Sequence, residues 1–293
     1  MDDERSAFQE ELVRLAVVEG IGPDYAESYY RMLFEIATGL ASRTEKLLIV
    51  GIAGSQGSGK STLAKLLATV LERVYEKNSL VMSVDDFYLT REERRALGRD
   101  VHPMLSTRGV PGTHDIALMQ SVIDDLKTGK NTEVPHFDKA EDDRGGFTPV
   151  VSQELSLLII EGWCWGAMPA EGDELDHPVN ALEQEDDEDG RWRRYVDRQL
   201  AYGGYQEVFA EAHTCLFLSV PNMEAVVRWR WQQEQRLAEA RSDGTKIMTE
   251  PEVRRFIMYY ERITRRMLEK MPKRANMTFY LDDQHRIGPP PRS

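Results

Sequence analysis

The stretch from Leu47 to Thr62, LLIVGIAGSQGSGKST, constrains this chain more than any other. A run of apolar or small residues, Leu47 to Ala53, leads into Gly54-Ser55-Gln56-Gly57-Ser58-Gly59-Lys60-Ser61, which satisfies G-x-x-x-x-G-K-[ST] at every fixed position. Glycines at these places let the backbone curl so that successive N–H groups point inward. They form an anion nest at the start of the next helix, whose dipole adds partial positive charge. The pattern therefore sets the loop from Gly54 to Thr62 and the Lys60 ammonium around nucleotide phosphates, with the Ser61 hydroxyl on Mg²⁺. Such a loop needs a strand before it and a helix after it. Leu63, Leu66, Leu67, Val70, Leu71 and Val74 supply the helix, repeating along one face.

Leu80 to Val84 reads as a second strand, ending in Asp85-Asp86-Phe87-Tyr88. A strand–helix–strand unit makes a right-handed parallel crossover, and in such sheets the active crevice lies beyond the carboxyl ends of the strands. An aspartate there can orient an attacking hydroxyl and take its proton, which makes Asp85 a catalytic candidate beside Lys60. The loop Thr107 to Asp115 carries Arg108 and His114, with Thr113 or Asp115 capping a helix whose buried face is Ile116, Met119, Val122, Ile123 and Leu126. Residues 135–146 lack periodicity and read as a second polar loop. Asp138, Lys139 and Arg144 are its candidates for a polar pocket, with a solvated turn as the alternative. Leu155 to Ile160 has the unbroken apolar character of a strand buried on both faces, and it ends in Glu161, the position of a Mg²⁺ partner.

Residues 171–190 hold ten Asp or Glu and no Lys or Arg, the composition of a solvated, mobile loop. Arg191-Trp192-Arg193-Arg194 then opens a helical segment that either binds a small anion or pairs with the acidic run. Thr214 to Val220 is a fourth strand. A helix beyond Pro221 bears Arg228, Arg230 and Arg236, followed by Arg241 and Lys246, and either closes over a nucleotide as a lid or is a solvated surface. Glu250 to Met271 is amphipathic, and Asn276 to Leu281 offers a fifth strand. Before the first strand, Tyr25 to Leu40 keeps helical spacing, with a shorter helix around Phe8, Leu12 and Leu15. Residues 1–46 read as an N-terminal helical extension packed on the main domain, or equally as the cap of a homodimer interface.

Charge and cysteine usage narrow the class. A formal charge of -13 argues against nucleic acid or anionic membrane as a partner. Cys164 and Cys215 fit no metal-ligand spacing and suit buried thiols in a reducing compartment. No apolar run approaches the roughly 18 residues that cross a bilayer. A soluble, cytoplasmic protein is expected.

In order along the chain, the phosphate loop, VDDFY, RGVPGTHD, FDK and EGW resemble the D-glycerate 3-kinase family, within the phosphoribulokinase, uridine kinase and pantothenate kinase group of P-loop kinases. The resemblance covers residues 47 to about 287. It implies a three-layer α/β/α P-loop fold with a parallel five-strand core sheet and a lid region at 223–246; the acidic insert at 171–190 is a decoration of this chain, and residues 288–293 are a tail. It also implies an ATP- and Mg²⁺-dependent kinase for a hydroxyl of a small anionic metabolite, D-glycerate first. A nucleoside- or pantothenate-type kinase and a regulatory nucleotide binder are the alternatives. By motif, Asp85 matches the catalytic aspartate, Ser61, Glu161 and Asp85 the metal set, and Arg228 with Arg230 the lid. Asp86, Tyr88, Arg108, His114, Arg144 and Arg194 are the substrate-binding candidates.

Overall fold

The computed structural model describes residues 2–18, 23–240 and 248–288. Two helices, α1 (Asp2–Val18) and α2 (Pro23–Ala41), precede the first strand, β1 (Leu48–Gly54). The helix α3 (Lys60–Tyr75), strand β2 (Ser79–Ser83), and helices α4 (Arg91–Asp100) and α5 (Ile116–Thr128) follow. A hairpin, β3 (Thr132–Asp138) and β4 (Asp143–Val150), leads to β5 (Leu157–Gly162). Then come α6 (Ala181–Asp186), α7 (Arg191–Tyr202), α8 (Tyr205–Ala210), β6 (Thr214–Ser219), α9 (Met223–Ala240), α10 (Glu250–Lys270), β7 (Met277–Leu281) and β8 (Ile287–Gly288).

The main sheet runs β2-β5-β1-β6-β7-β8; its first five strands are parallel, and the two-residue β8 closes the edge antiparallel to β7. The expected five-strand parallel core is present, with this short cap added. All seven residues of β1 and all six of β5 are buried. Side-chain alternation splits them between two layers. Leu48, Val50, Ile52, Leu157, Ile159, Leu216 and Leu218 face α3 and α9, and the same layer takes in Phe8, Leu12 and Leu15 of α1 and Tyr29, Leu33 and Ile36 of α2. Ile49, Ala53, Leu158, Ile160 and Phe217 face the other way, against α5, α7, α8 and α10.

Two sequence expectations are corrected here. Residues 135–146 are not a loop but most of a hairpin, with Glu133 opposite Pro149 and Pro135 opposite Phe147. A proline in each strand hides the alternation, and a two-stranded ribbon tolerates both because each strand has a free edge. The acidic stretch is solvated only in part: Glu171, Asp173, Asp176, Glu185, Asp186, Glu188 and Asp189 are exposed, but residues 181–186 form a helix that packs on the protein. Glu183 and Asp187 are buried, and arginines of α10 neutralise the stretch: Arg262 meets Glu183 at 2.5 Å, Arg266 meets Glu174 at 2.7 Å and Arg255 meets Asp186 at 2.5 Å. Arg193 adds a buried pair to Asp187 at 2.9 Å. The Arg241 to Lys246 part of the expected lid, and all but the first residue of the tail, lie outside the described residues.

Candidate active site

β1 delivers its chain straight into the phosphate loop. Gly57 (φ 76°) and Gly59 (φ 89°) both take left-handed backbone, which only glycine adopts freely. Gly59 caps α3 without any side-chain hydrogen bond, so the first N–H groups of the helix remain available to an anion. The Ser55 and Ser58 hydroxyls, both able to donate, are buried without a hydrogen-bond partner. A buried polar cluster of this kind is costly unless a ligand satisfies it, and phosphate oxygens have the right chemistry.

Parallel register sets the next groups. Ile52 of β1 and Ser83 of β2 both stand opposite Glu161 of β5, so the two flanking strand ends meet over the loop. The Ser61 hydroxyl donates to Glu161 Oε1 at 2.7 Å, and Lys60 Nζ lies 3.8 Å from Oε2, which makes no hydrogen bond. A hydroxyl beside a carboxylate with a spare buried oxygen is a donor set that suits a hard cation such as Mg²⁺. One residue past β2, the 3₁₀ turn Val84–Phe87 opens with Ser83 Oγ accepting from the Asp85 N–H. Asp85 then accepts from the Tyr88 hydroxyl at 3.0 Å and pairs with Lys139 Nζ at 2.7 Å. Both of its oxygens are thus engaged, Oδ1 by Tyr88 and Oδ2 by Lys139. Burial alone would raise its pKa, but Lys139 and Lys60 prevail and hold it at about 2. The same pair raises the Lys139 ammonium above its ordinary value, Asp85 outweighing the lowering effect of burial.

Two motifs far apart in the sequence are joined by backbone. The Leu89 N–H donates to Thr113 O and the Asp115 N–H to Phe87 O, so PGTHD lies beside DDFY. His114 consequently stacks on Tyr88 with ring centroids 4.5 Å apart. Tyr205 Oη, which accepts from the Gly112 N–H, has its hydrogen free for His114 Nδ1 at 2.8 Å. Burial pushes the imidazole pKa down to about 4, which keeps the ring neutral near pH 7. Asp115 caps α5 by accepting from the Leu118 N–H at 3.0 Å.

A cavity of about 620 Å³ joins these parts. Gln56, Gly57, Lys60 and Ser61 form its floor, with Asp85, Tyr88 and Glu161 at one side. Trp163, Phe256 and Tyr260 make an aromatic wall; Trp163 donates from Nε1 to Gly109 O at 2.9 Å and so fixes the backbone next to Arg108. Lys60, Arg108, Lys139, Arg230 and Arg236 face this cavity against the two carboxylates, leaving a surplus of positive charge inside an acidic protein. Arg108 is held by an ion pair to Asp142 and lies over the Phe137 ring at 5.4 Å. Arg230 pairs with Glu234 on its own helix.

The structure does not gather every sequence candidate. Asp86 accepts from the Phe137 N–H at 3.3 Å, tying the hairpin to the end of β2. Arg144 reaches Tyr88 O and Asp115, both at 3.3 Å, and fastens the same hairpin from its other strand. Neither lines the cavity. Arg194 is exposed and donates to Asp189 O at 2.6 Å, away from the cavity, so the arginine cluster serves the acidic stretch rather than an anion in the site. Arg228 points off the lining face of α9 to Asp283, 2.6 Å away, because residues two apart on a helix face apart. Lys139, one of the polar-loop candidates, turns out to be the cation nearest Asp85.

The sequence model of the Phosphoribulokinase / Uridine kinase family matches residues 49–168. Among known proteins, the uncharacterized kinase mug58 of Schizosaccharomyces pombe is 34% identical over 231 residues, which are 72% of this chain and 78% of that protein. The chloroplastic D-glycerate 3-kinase of Arabidopsis thaliana is 31% identical over 227 residues, 73% of this chain but 46% of that protein. The solved structure of D-glycerate 3-kinase from Cryptococcus neoformans var. grubii has a TM-score of 0.66 at 24% identity, covering 88% of this chain and 98% of that one, a likeness of fold.

Proposed function

Because the chain belongs to the phosphoribulokinase/uridine kinase family of P-loop kinases, we propose that it transfers the γ-phosphoryl group of ATP, with Mg²⁺, to a hydroxyl of a small anionic metabolite, D-glycerate first among them. The observation that carries the reading is the position of Asp85. It stands at the end of β2, paired with Lys139, in the same cavity as Lys60, Ser61 and Glu161. The loop N–H groups and Lys60 hold the phosphates. Ser61 and Glu161 would hold Mg²⁺, which when bound screens the negative charge of the phosphate oxygens. Arg108 and Lys139 offer a carboxylate two cations, and a carboxylate that takes Lys139 leaves one oxygen of Asp85 free for the neighbouring hydroxyl. Phosphoryl transfer asks little of a base until late, so a carboxylate of low pKa suffices to orient the hydroxyl and then receive its proton. Glycerate joins a carboxylate and hydroxyls in one small molecule, and relatives described as D-glycerate 3-kinases favour it over other acceptors.

The test is ADP release with MgATP and D-glycerate, pantothenate, a nucleoside or no acceptor. Turnover should depend on glycerate. Asp85→Asn should bind ATP as the wild type does and lose turnover by about 10³-fold. Turnover with another acceptor and none with glycerate would sink the substrate reading, and full activity of Asp85→Asn would remove Asp85 from the mechanism.

A further inference from the structure

The turn joining β7 to β8 is built by Asp282, whose Oδ1 accepts from the N–H groups of Gln284 and Arg286, both at 2.9 Å, while its carbonyl accepts from the His285 N–H at 3.0 Å. The turn places His285 at φ 61°, in the left-handed region where a side chain costs energy and glycine costs none. A residue kept in such a position against that cost points to a use for its side chain. The imidazole reaches back to the phosphate loop. Its Nε2 donates to Gly57 O at 2.8 Å, and its ring stacks on Trp229 of α9 at 3.7 Å between centroids. The His285 carbonyl in turn accepts from the hydroxyl of Tyr29, a buried residue of α2, at 3.1 Å. Asp283 pins the turn to Arg228.

From this arrangement we infer that His285 is a positioning residue of the phosphate loop, holding the Gly57–Ser58 peptide in the orientation that closes the loop. Gly57 has no side chain to resist rotation, and a Cβ there would lie 2.8 Å from Trp229 Cβ, so a larger residue cannot do the locking itself. The carbonyl and the N–H of one trans peptide point in opposite directions. Holding Gly57 O outward therefore turns the Ser58 N–H inward to Ser55 O, where it closes the loop at 3.2 Å. The helical extension takes part through Tyr29, and Arg228, which lines no part of the cavity, acts by fixing the turn.

The inference rests on nucleotide binding at this loop and is independent of the acceptor. His285→Gly suits the left-handed backbone and removes the imidazole, so the variant should stay folded, as its thermal midpoint would show, while its affinities for MgATP and for inorganic tripolyphosphate both fall about 3- to 10-fold, the worth of one hydrogen bond. His285→Gln, which restores a donor of similar reach, should recover part of both losses. Unchanged affinity in folded His285→Gly would overturn the inference, as would a loss for ATP with none for tripolyphosphate, which would put the residue on the base instead of the loop. Failure of the wild type to bind either probe would overturn the phosphate-loop reading itself, and this inference with it.

Discussion

At Asp85 two effects oppose each other. Burial favours the neutral acid, whereas Lys139 at 2.7 Å and Lys60 favour the carboxylate, and the cations win. Lys139→Met keeps the length of the side chain and removes the charge. The pKa of Asp85 should then climb, so the acid limb of the kcat profile should move up to a pH where it can be measured. The KM for the acceptor should rise about 10- to 100-fold with the loss of a charge-assisted contact. A profile with the same acid limb as the wild type would show that Lys139 does not set the charge of Asp85. Asp85, Lys60, Ser61 and Glu161 were legible from sequence because each follows from a strand end or from the loop pattern. For Arg194 the sequence leaves two readings, an anion in the site or the acidic stretch, because an arginine cluster carries no mark of where its helix points. Only the fold shows that it faces the acidic stretch.

The hairpin β3–β4 carries one half of the acceptor side in the proposed function. It brings Lys139 to Asp85, and its turn residue Asp142 fixes Arg108 while also meeting the buried Arg94 at 3.1 Å. Asp142 has φ 53°, which asparagine tolerates well, so Asp142→Asn weakens both arginine contacts without disturbing the turn. The KM for the acceptor should rise several-fold and that for ATP should stay constant. Equal shifts in both would mean that the hairpin serves the whole site and not the acceptor. The central parallel strands could be read from the sequence because burial on both faces leaves unbroken apolar runs such as Leu157 to Ile160. The hairpin could not. Its paired faces are half exposed and its prolines interrupt the pattern, and the bonds that hold it, from Asp86 and Arg144, join residues 51 and 29 positions apart.

For the molecule as a whole, acid stability contains a readable contribution from His114. Its folded pKa of about 4 lies below the ordinary 6.5, so the unfolded chain takes up a proton first as pH falls. That contribution is complete above pH 6.5 and disappears progressively down to pH 4, amounting to about 3 kcal/mol. Asp85, whose pKa is also lowered on folding, loses its share only below 3.8. Denaturant titrations between pH 7 and 4.5 should therefore show a shallower decline for His114→Gln than for the wild type; parallel declines would mean that the imidazole is not held neutral. The strand order has a different kind of consequence. β1 pairs with β5, Leu48 opposite Leu157, and with β6, Val50 opposite Thr214. During synthesis this fully apolar strand leaves the ribosome long before either neighbour exists. It must wait for β5 and β6 before its sheet partners are present. The phosphate loop therefore gains the strands that support it only after the chain as far as β6 has been made.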